Sequence, residues 1–283
     1  MKHGWLSLLV LLAVAAGLGV LAWLAPAPGG NPPPLSTLQP ARAQKVVLAR
    51  PGQAPIELER RDAQWLITAP LRARADEFQV MRMLALLETK PAAQFPAADL
   101  ERFDLQAPVA RLSVDGIDYA FGGINTVTRE QYVMRADTVY AVALRHGAAL
   151  PADATALIRR VLLNENEIPV AVLLPQFSVR QTGGRWSLTP PADEAGADEL
   201  QAFVDRWRQA SAARAEPHDG RKPLAEVRIE LREGAPLLFS VLQREPNLVL
   251  LRQDNGLQYT FLAGAGQALL THPGRPVSVK NNQ

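Results

Sequence analysis

Two stretches of this chain, 121 to 122 residues apart, carry the same pattern, and the duplication limits the fold more than any other feature. The first runs Trp65-Leu66-Ile67-Thr68-Ala69-Pro70 and resumes at Ala75-Asp76-Glu77-Phe78-Gln79. The second runs Trp186-Ser187-Leu188-Thr189-Pro190-Pro191 and resumes at Ala197-Asp198-Glu199-Leu200-Gln201. The signature residues Trp65, Thr68, Pro70, Asp76 and Gln79 thus correspond to Trp186, Thr189, Pro191, Asp198 and Gln201. The period is too long for a solenoid and suits two sister domains.

Each half obeys the same local physics. Trp-x-aliphatic alternation predicts a short strand with one buried face. The Thr-x-Pro step ends that strand, because proline has no N–H for the ladder. Asp76 and Asp198 are expected to cap helices, each with glutamine three residues on in a capping-box arrangement. Val80, Met83, Leu84 and Leu87 form an apolar stripe after the first cap, and Leu200, Phe203, Val204 and Trp207 form one after the second.

Strand pairs follow. Asp115-Gly116 joins 111–114 to 117–121, and Glu233-Gly234 joins 227–231 to 236–239. A second hairpin follows in each half, 132–135 with 139–142 and 248–251 with 257–261, the latter turning at Asn255-Gly256. A helix near Asp153 to Leu163, capped by Asp153, closes the first half, and a boundary falls around Asn164 to Ile168. The expected fold class is α+β: two tandem homologous domains, each a mostly antiparallel sheet (hairpin, helix, four-stranded meander) with one packing helix, preceded by one transmembrane helix.

That last element comes from the uncharged run Trp5 to Ala25, about 21 residues and close to the ~20 that span a bilayer core. Lys2 is the only formal charge before Arg42, so the positive-inside rule keeps the N-terminus in the cytoplasm and exports the rest. A cleaved signal peptide is the competing reading, but Pro28 directly after Ala25-Pro26-Ala27 is unfavourable for cleavage. Residues 26–44 are rich in Pro and Gly and read as a linker. The expected organisation is 1–4 cytoplasmic, 5–25 membrane helix, 26–44 linker, 45–166 first repeat domain and 167–283 second. Localisation is expected at the inner membrane, with the body in the periplasm.

Candidate chemistry is sparse. A net charge of +2 gives no reason to expect nucleic acid as a partner. Cysteine is absent, which removes disulfides, thiol catalysis and thiolate metal sites. His3, His146, His218 and His272 lack metal-ligand spacing, and His218-Asp219 reads as a solvated loop. Glu57 and Glu59 share one strand face, as acid/base work would need, yet alternating charge is the default on an exposed face. Glu165/Glu167 and Asp193/Glu194 are further carboxylate pairs. Gly122-Gly123 and Gly183-Gly184 read as turns, not phosphate cradles. Arg60-Arg61, Arg72 with Arg74, and Arg159-Arg160 offer contacts to anionic headgroups or acidic glycans, weighed against ordinary solvated faces. Trp65, Trp186 and Trp207 read as core rather than as a carbohydrate platform. Catalytic, cofactor-binding and metal residues: none is assigned.

The chain resembles the bacterial domain of unknown function 4340. The residues that carry the likeness are 65–70 with Ala75-Asp76, then 99–108 with its leucine, aromatic and proline steps, then Phe121-Gly122-Gly123 with Tyr132-Val133 and Val139-Tyr140. Asp104 stands where that family usually has glycine. The resemblance spans about Lys45 to Leu174 and more weakly the second half. It implies a single-pass, exported protein, in some cases associated with transporter systems, and brings no catalytic residues. The expected function is a non-enzymatic interaction module of an envelope or transporter complex, with an envelope protein as partner. The alternatives are a periplasmic glycan- or lipid-binding protein with a groove between the repeats and, ranked last, an enzyme.

Overall fold

The computed structural model describes residues 34–191 and 195–274. The membrane-helix expectation at 5–25 and the pair Asp193/Glu194 lie outside the described residues. Among the described residues no helix is long and apolar enough to cross a membrane.

Two antiparallel sheets make up the body. The first contains β1 (Lys45–Ala49), β2 (Ile56–Arg61), β3 (Gln64–Ala69), β4 (Ala73–Arg74), β5 (Ala93–Pro96), β6 (Ala110–Val114), β7 (Ile117–Asn125), β8 (Glu130–Arg135) and β9 (Thr138–Ala143). Its spatial order is β4-β3-β2-β1-β6-β7-β8-β9-β5. The second contains β10 (Pro169–Leu173), β11 (Ser178–Thr182), β12 (Arg185–Thr189), β13 (Arg214–Pro217), β14 (Ala225–Leu231), β15 (Leu237–Gln243), β16 (Leu248–Arg252) and β17 (Leu257–Phe261). Its order, β12-β11-β10-β14-β15-β16-β17-β13, repeats the first sheet without a counterpart to β4.

The four-stranded meanders stand as expected. The rest of the sheet differs from the simple hairpin anticipated. Four strands precede the helix in the first half and three in the second, and the strand after the helix, β5 or β13, crosses to the far edge beside β9 or β17. One face of each sheet carries the helix. α1 (Glu77–Leu84) buries Val80, Met83 and Leu84, and the turn after it buries Leu87. α3 (Ala197–Arg208) buries Leu200, Phe203, Val204 and Trp207, the full stripe. Alternation along β7 and β8 sends Tyr119, Phe121 and Val133 to the helix side. Ala120 and Tyr132 go to the opposite side, where Phe103 and Leu105 cover them.

The signature residues divide. Asp76 caps α1, its carboxylate accepting from the Gln79 amide at 3.2 Å. Gln79 does not return the bond: its side chain accepts from Arg82, while the Asp76 amide donates to the Leu157 carbonyl. Asp198 does not cap α3. That helix starts two residues earlier with Gly196 as N-cap, placing Asp198 in the first turn, where its charge still favours the helix dipole. Gln201 instead accepts from the Trp186 indole at 2.6 Å. Trp65 is 2% exposed, whereas Trp186 is only half-buried. Pro70 directly follows β3, but Pro190 and not Pro191 directly follows β12.

Three further expectations give way. The helix near 153–163 is one 3-10 turn, Ala154–Leu157, capped by Asp153; the chain then runs extended. Gly122 and Gly123 are not in a turn but inside β7. A Cβ on Gly122 would lie 2.3 Å from the Phe103 carbonyl oxygen, and one on Gly123 would lie 2.2 Å from an Asp104 carboxylate oxygen. Glycine is required there by the close approach of the 100–105 segment. Gly183 and Gly184 do form the β11–β12 turn, both with positive φ. Finally, the 26–44 stretch is not all linker. Leu35 is fully buried, its amide donates to the Thr89 carbonyl at 3.0 Å, and its own carbonyl accepts from Arg135 at 3.0 Å. Ser36 accepts from the Tyr119 hydroxyl at 2.7 Å.

Two short helices were not anticipated, α2 (Arg145–Ala148) and α4 (Ala263–Leu270), each following the last strand of its meander.

Candidate functional site

The seam between the sheets is where polar groups converge. After Leu157 the chain stays extended because the end of β4 on one side and the 210–212 segment before β13 on the other take up its backbone groups. On the first-repeat side Ile158 lies opposite Ala75, and the Arg159 amide donates to the Arg74 carbonyl at 2.9 Å. On the second-repeat side Val161 lies opposite Ser211, with Leu162 N to Ala210 O at 2.9 Å and Ala212 N to Arg160 O at 2.8 Å. A helix over 153–163 would forfeit these bonds.

Just beyond it, Arg252 at the end of β16 fastens the seam. Its side chain is 6% exposed. A guanidinium has five N–H donors, and here each has a partner. Nε donates to Asp254 at 2.8 Å and Nη2 to Glu167 at 2.5 Å and Asp254 at 2.9 Å. Nη1 donates to Glu167 at 2.9 Å and to the Leu162 carbonyl at 2.8 Å. Glu167 also accepts from the Asn164 amide at 2.6 Å and side chain at 2.8 Å. Asn164 in turn accepts from Arg74 of β4. The chain Arg74–Asn164–Glu167–Arg252–Asp254 therefore links the first sheet to the second.

Burial by itself would raise the Glu167 and Asp254 carboxyls. The hydrogen bonds and charge of Arg252, with Asn164 added at Glu167, outweigh it and hold both below the ordinary carboxylate range. Burial disfavours a charged Arg252 as well, but its two carboxylates keep its proton on more firmly than usual. Groups whose folded pKa lies below the unfolded value stabilise the fold above the unfolded pKa, and that contribution fades as pH falls through the folded one. The contribution of these two carboxylates to the unfolding free energy should therefore hold steady from pH 7 to about 5 and drop as pH passes below about 4. Glu167→Gln should make the drop shallower in urea titrations. Equal slopes would detach the drop from this network.

Clefts surround the connector. One of about 180 Å³ is lined by Arg74, Arg159, Asn164, Arg252, Asp254 and Tyr259, among others. Others of about 430, 390 and 370 Å³ share Arg159, or Arg74 and Asn164, with it. Phe78, 68% exposed on α1, stands in the first of these beside Arg159 and Arg160. The seam thus gathers Arg74, Arg159 and Arg160 from two of the three arginine-rich pieces marked in the sequence. The third does not join them: Arg61 pairs with Glu59 at 2.7 Å and Arg60 donates to the Ala41 carbonyl.

The remaining marked groups lie apart. Glu57 and Glu59 share the outer face of β2, beside Lys45 and Arg61 respectively. His146 is buried against the Thr89 hydroxyl at 2.7 Å, and burial, helped by Arg145, pushes its pKa down. His218 is in a loop where Asp219 is gripped by Arg221 and Gln258. Among the described residues no group of three or more His, Cys, Asp or Glu is placed to hold a metal. Arg252, Asn164 and Asp254 were not singled out in the sequence. Arg252 reads there as one more charge three residues before the Asn255-Gly256 turn, because one of its two carboxylate partners is 85 residues away.

The family described as Domain of unknown function (DUF4340) matches residues 65–230. The match runs from β3 into β14 and takes in the connector, with Arg252 and Asp254 beyond its end. No curated protein and no solved structure matches the chain.

Proposed function

We propose a function from one premise: the chain belongs to the DUF4340 family, a domain of unknown function. The protein is a non-enzymatic, membrane-anchored periplasmic module that docks onto an envelope or transporter complex. The observation that carries this reading is the Arg252 network. Its charged groups neutralise one another and join the two sheets, as a scaffold requires. Two further features support it. The uncharged run Trp5 to Ala25, with Lys2 before it, has the length and flank of an anchor. The end of β7 and the turn after it present Ile124 at 51% and Val127 at 89% exposure, apolar side chains available to a partner.

Affinity capture of the full chain from membranes in mild detergent tests the reading. Recovery of stoichiometric membrane partners, reduced by Val127→Glu, is expected. Recovery as a lone monomer, or release from membranes by alkaline carbonate, would overturn it.

A second reading, a glycan or lipid held between the repeats, is favoured by the run of connected clefts at the seam, since ligand sites concentrate where domains meet.

A further inference from the structure

We propose that the seam cavity between Arg74 and Arg159 binds a phosphate group. This rests on the second reading above and is independent of the membrane anchor.

The backbone sets the geometry. Ala75 lies opposite Ile158 in antiparallel pairing, so Arg74 and Arg159 are opposite each other one step along, and both line the same cavity of about 180 Å³. Like charges directly opposite across an antiparallel pair are destabilising. Neither guanidinium is neutralised by a close, buried carboxylate. Arg74 donates to the neutral Asn164 side chain. Arg159 pairs at 3.0 Å with Glu165, whose side chain is 88% exposed; such a surface pair contributes little. The nearby Glu167 and Asp254 are occupied by Arg252. Burial and the charge of Arg159 accordingly push the Arg74 pKa down.

An anion between the two guanidinia would relieve the repulsion. A carboxylate has two oxygens, enough for one fork. A phosphate has the oxygens to meet two forks at once, and arginine recognises it bidentately. The cavity is too small for a whole drug-sized ligand, but it shares Arg159 and Val161 with the neighbouring cleft that holds Phe78. The phosphate can be free, or it can be the head of a lipid whose apolar part runs past Phe78.

Calorimetric titration of the full chain in nonionic detergent tests this with inorganic phosphate, short-chain phosphatidylglycerol and an uncharged chitin tetrasaccharide. Arg159→Gln is the main variant, since Glu165 is its only side-chain partner among the described residues; Arg74→Gln is the second and Arg111→Gln the control. Phosphate should bind the wild type, at least tenfold more weakly to either cavity variant, and unchanged to the control. In phosphate-free buffer Arg159→Gln should melt no lower than the wild type, and phosphate should raise only the wild-type midpoint. Lipid binding at least tenfold tighter than phosphate, with the excess lost in Phe78→Ala, identifies a headgroup as the source; equal affinities identify free phosphate. Both support the site. Phosphate binding that is absent, or indifferent to both arginines, overturns it. Tetrasaccharide binding that survives both variants, with no phosphate binding, would overturn the phosphate site while leaving the groove reading intact. Failure of all three probes would remove both.

Discussion

Replacing Arg252 with alanine is expected to cost roughly 3–5 kcal/mol of stability, the range for breaking a buried ion pair from one side. The loss comes less from the bonds removed than from what they leave behind. Glu167, half-buried, and Asp254 would keep their charges without a counterion, and the Leu162 carbonyl would lose its donor. The double variant Arg252→Met with Glu167→Gln should recover part of the loss, because a neutral pair needs no counterion. Urea denaturation followed by circular dichroism measures both. The single variant should also split one unfolding transition into two, since the network ties the connector to the second sheet. A loss under about 1 kcal/mol with one transition would show that the seam is held by its backbone bonds and apolar packing alone.

Trp207→Ala should cost a similar amount, roughly 3–5 kcal/mol, for a different reason. Trp207 is fully buried on α3, packs against Phe239 at 6.1 Å between ring centroids, and donates its indole N–H to the Leu269 carbonyl at 3.0 Å. Alanine leaves a cavity and frees a carbonyl of α4. Trp207→Phe retains most of the volume but not the donor, so it should lose only about 1–2 kcal/mol. Thermal melts of the two variants separate volume from hydrogen bond. If Phe destabilised as much as Ala, the indole N–H and not the packing would dominate.

The repeat made the meanders and helix stripes legible, because alternation and 3.6-residue periodicity are local. The elements that escaped lack such signals. β5 and β13 are four-residue edge strands that each end in proline, too short for their pattern to stand out. α4 reads Ala-Gly-Ala-Gly-Gln-Ala-Leu-Leu and has no side-chain cap; it is held by Trp207 and by the approach of Gly266 to Leu248, where a Cβ would sit at 2.5 Å. Asp198 had the form of a cap, but Gly196 started the helix first. At the seam, Arg74 and Arg159 were visible as arginine-rich pieces. Their opposition was not, because it depends on a pairing between residues 83 positions apart, Ala75 opposite Ile158, and on the one further step that sets Arg74 opposite Arg159. Arg252 gave no local sign of burial, since its charge is matched by tertiary contacts alone.

The docking of Leu35 sets a leash. With the proposed anchor ending at Ala25, nine residues, 26–34, separate it from a fully buried side chain. Even at full stretch, about 3.3–3.6 Å per residue, that is roughly 30 Å. A body so tethered stays within about its own diameter of the bilayer and cannot patrol the depth of an envelope. Whatever it touches must come to it, as a neighbour in the same membrane or as a molecule passing close above the headgroups.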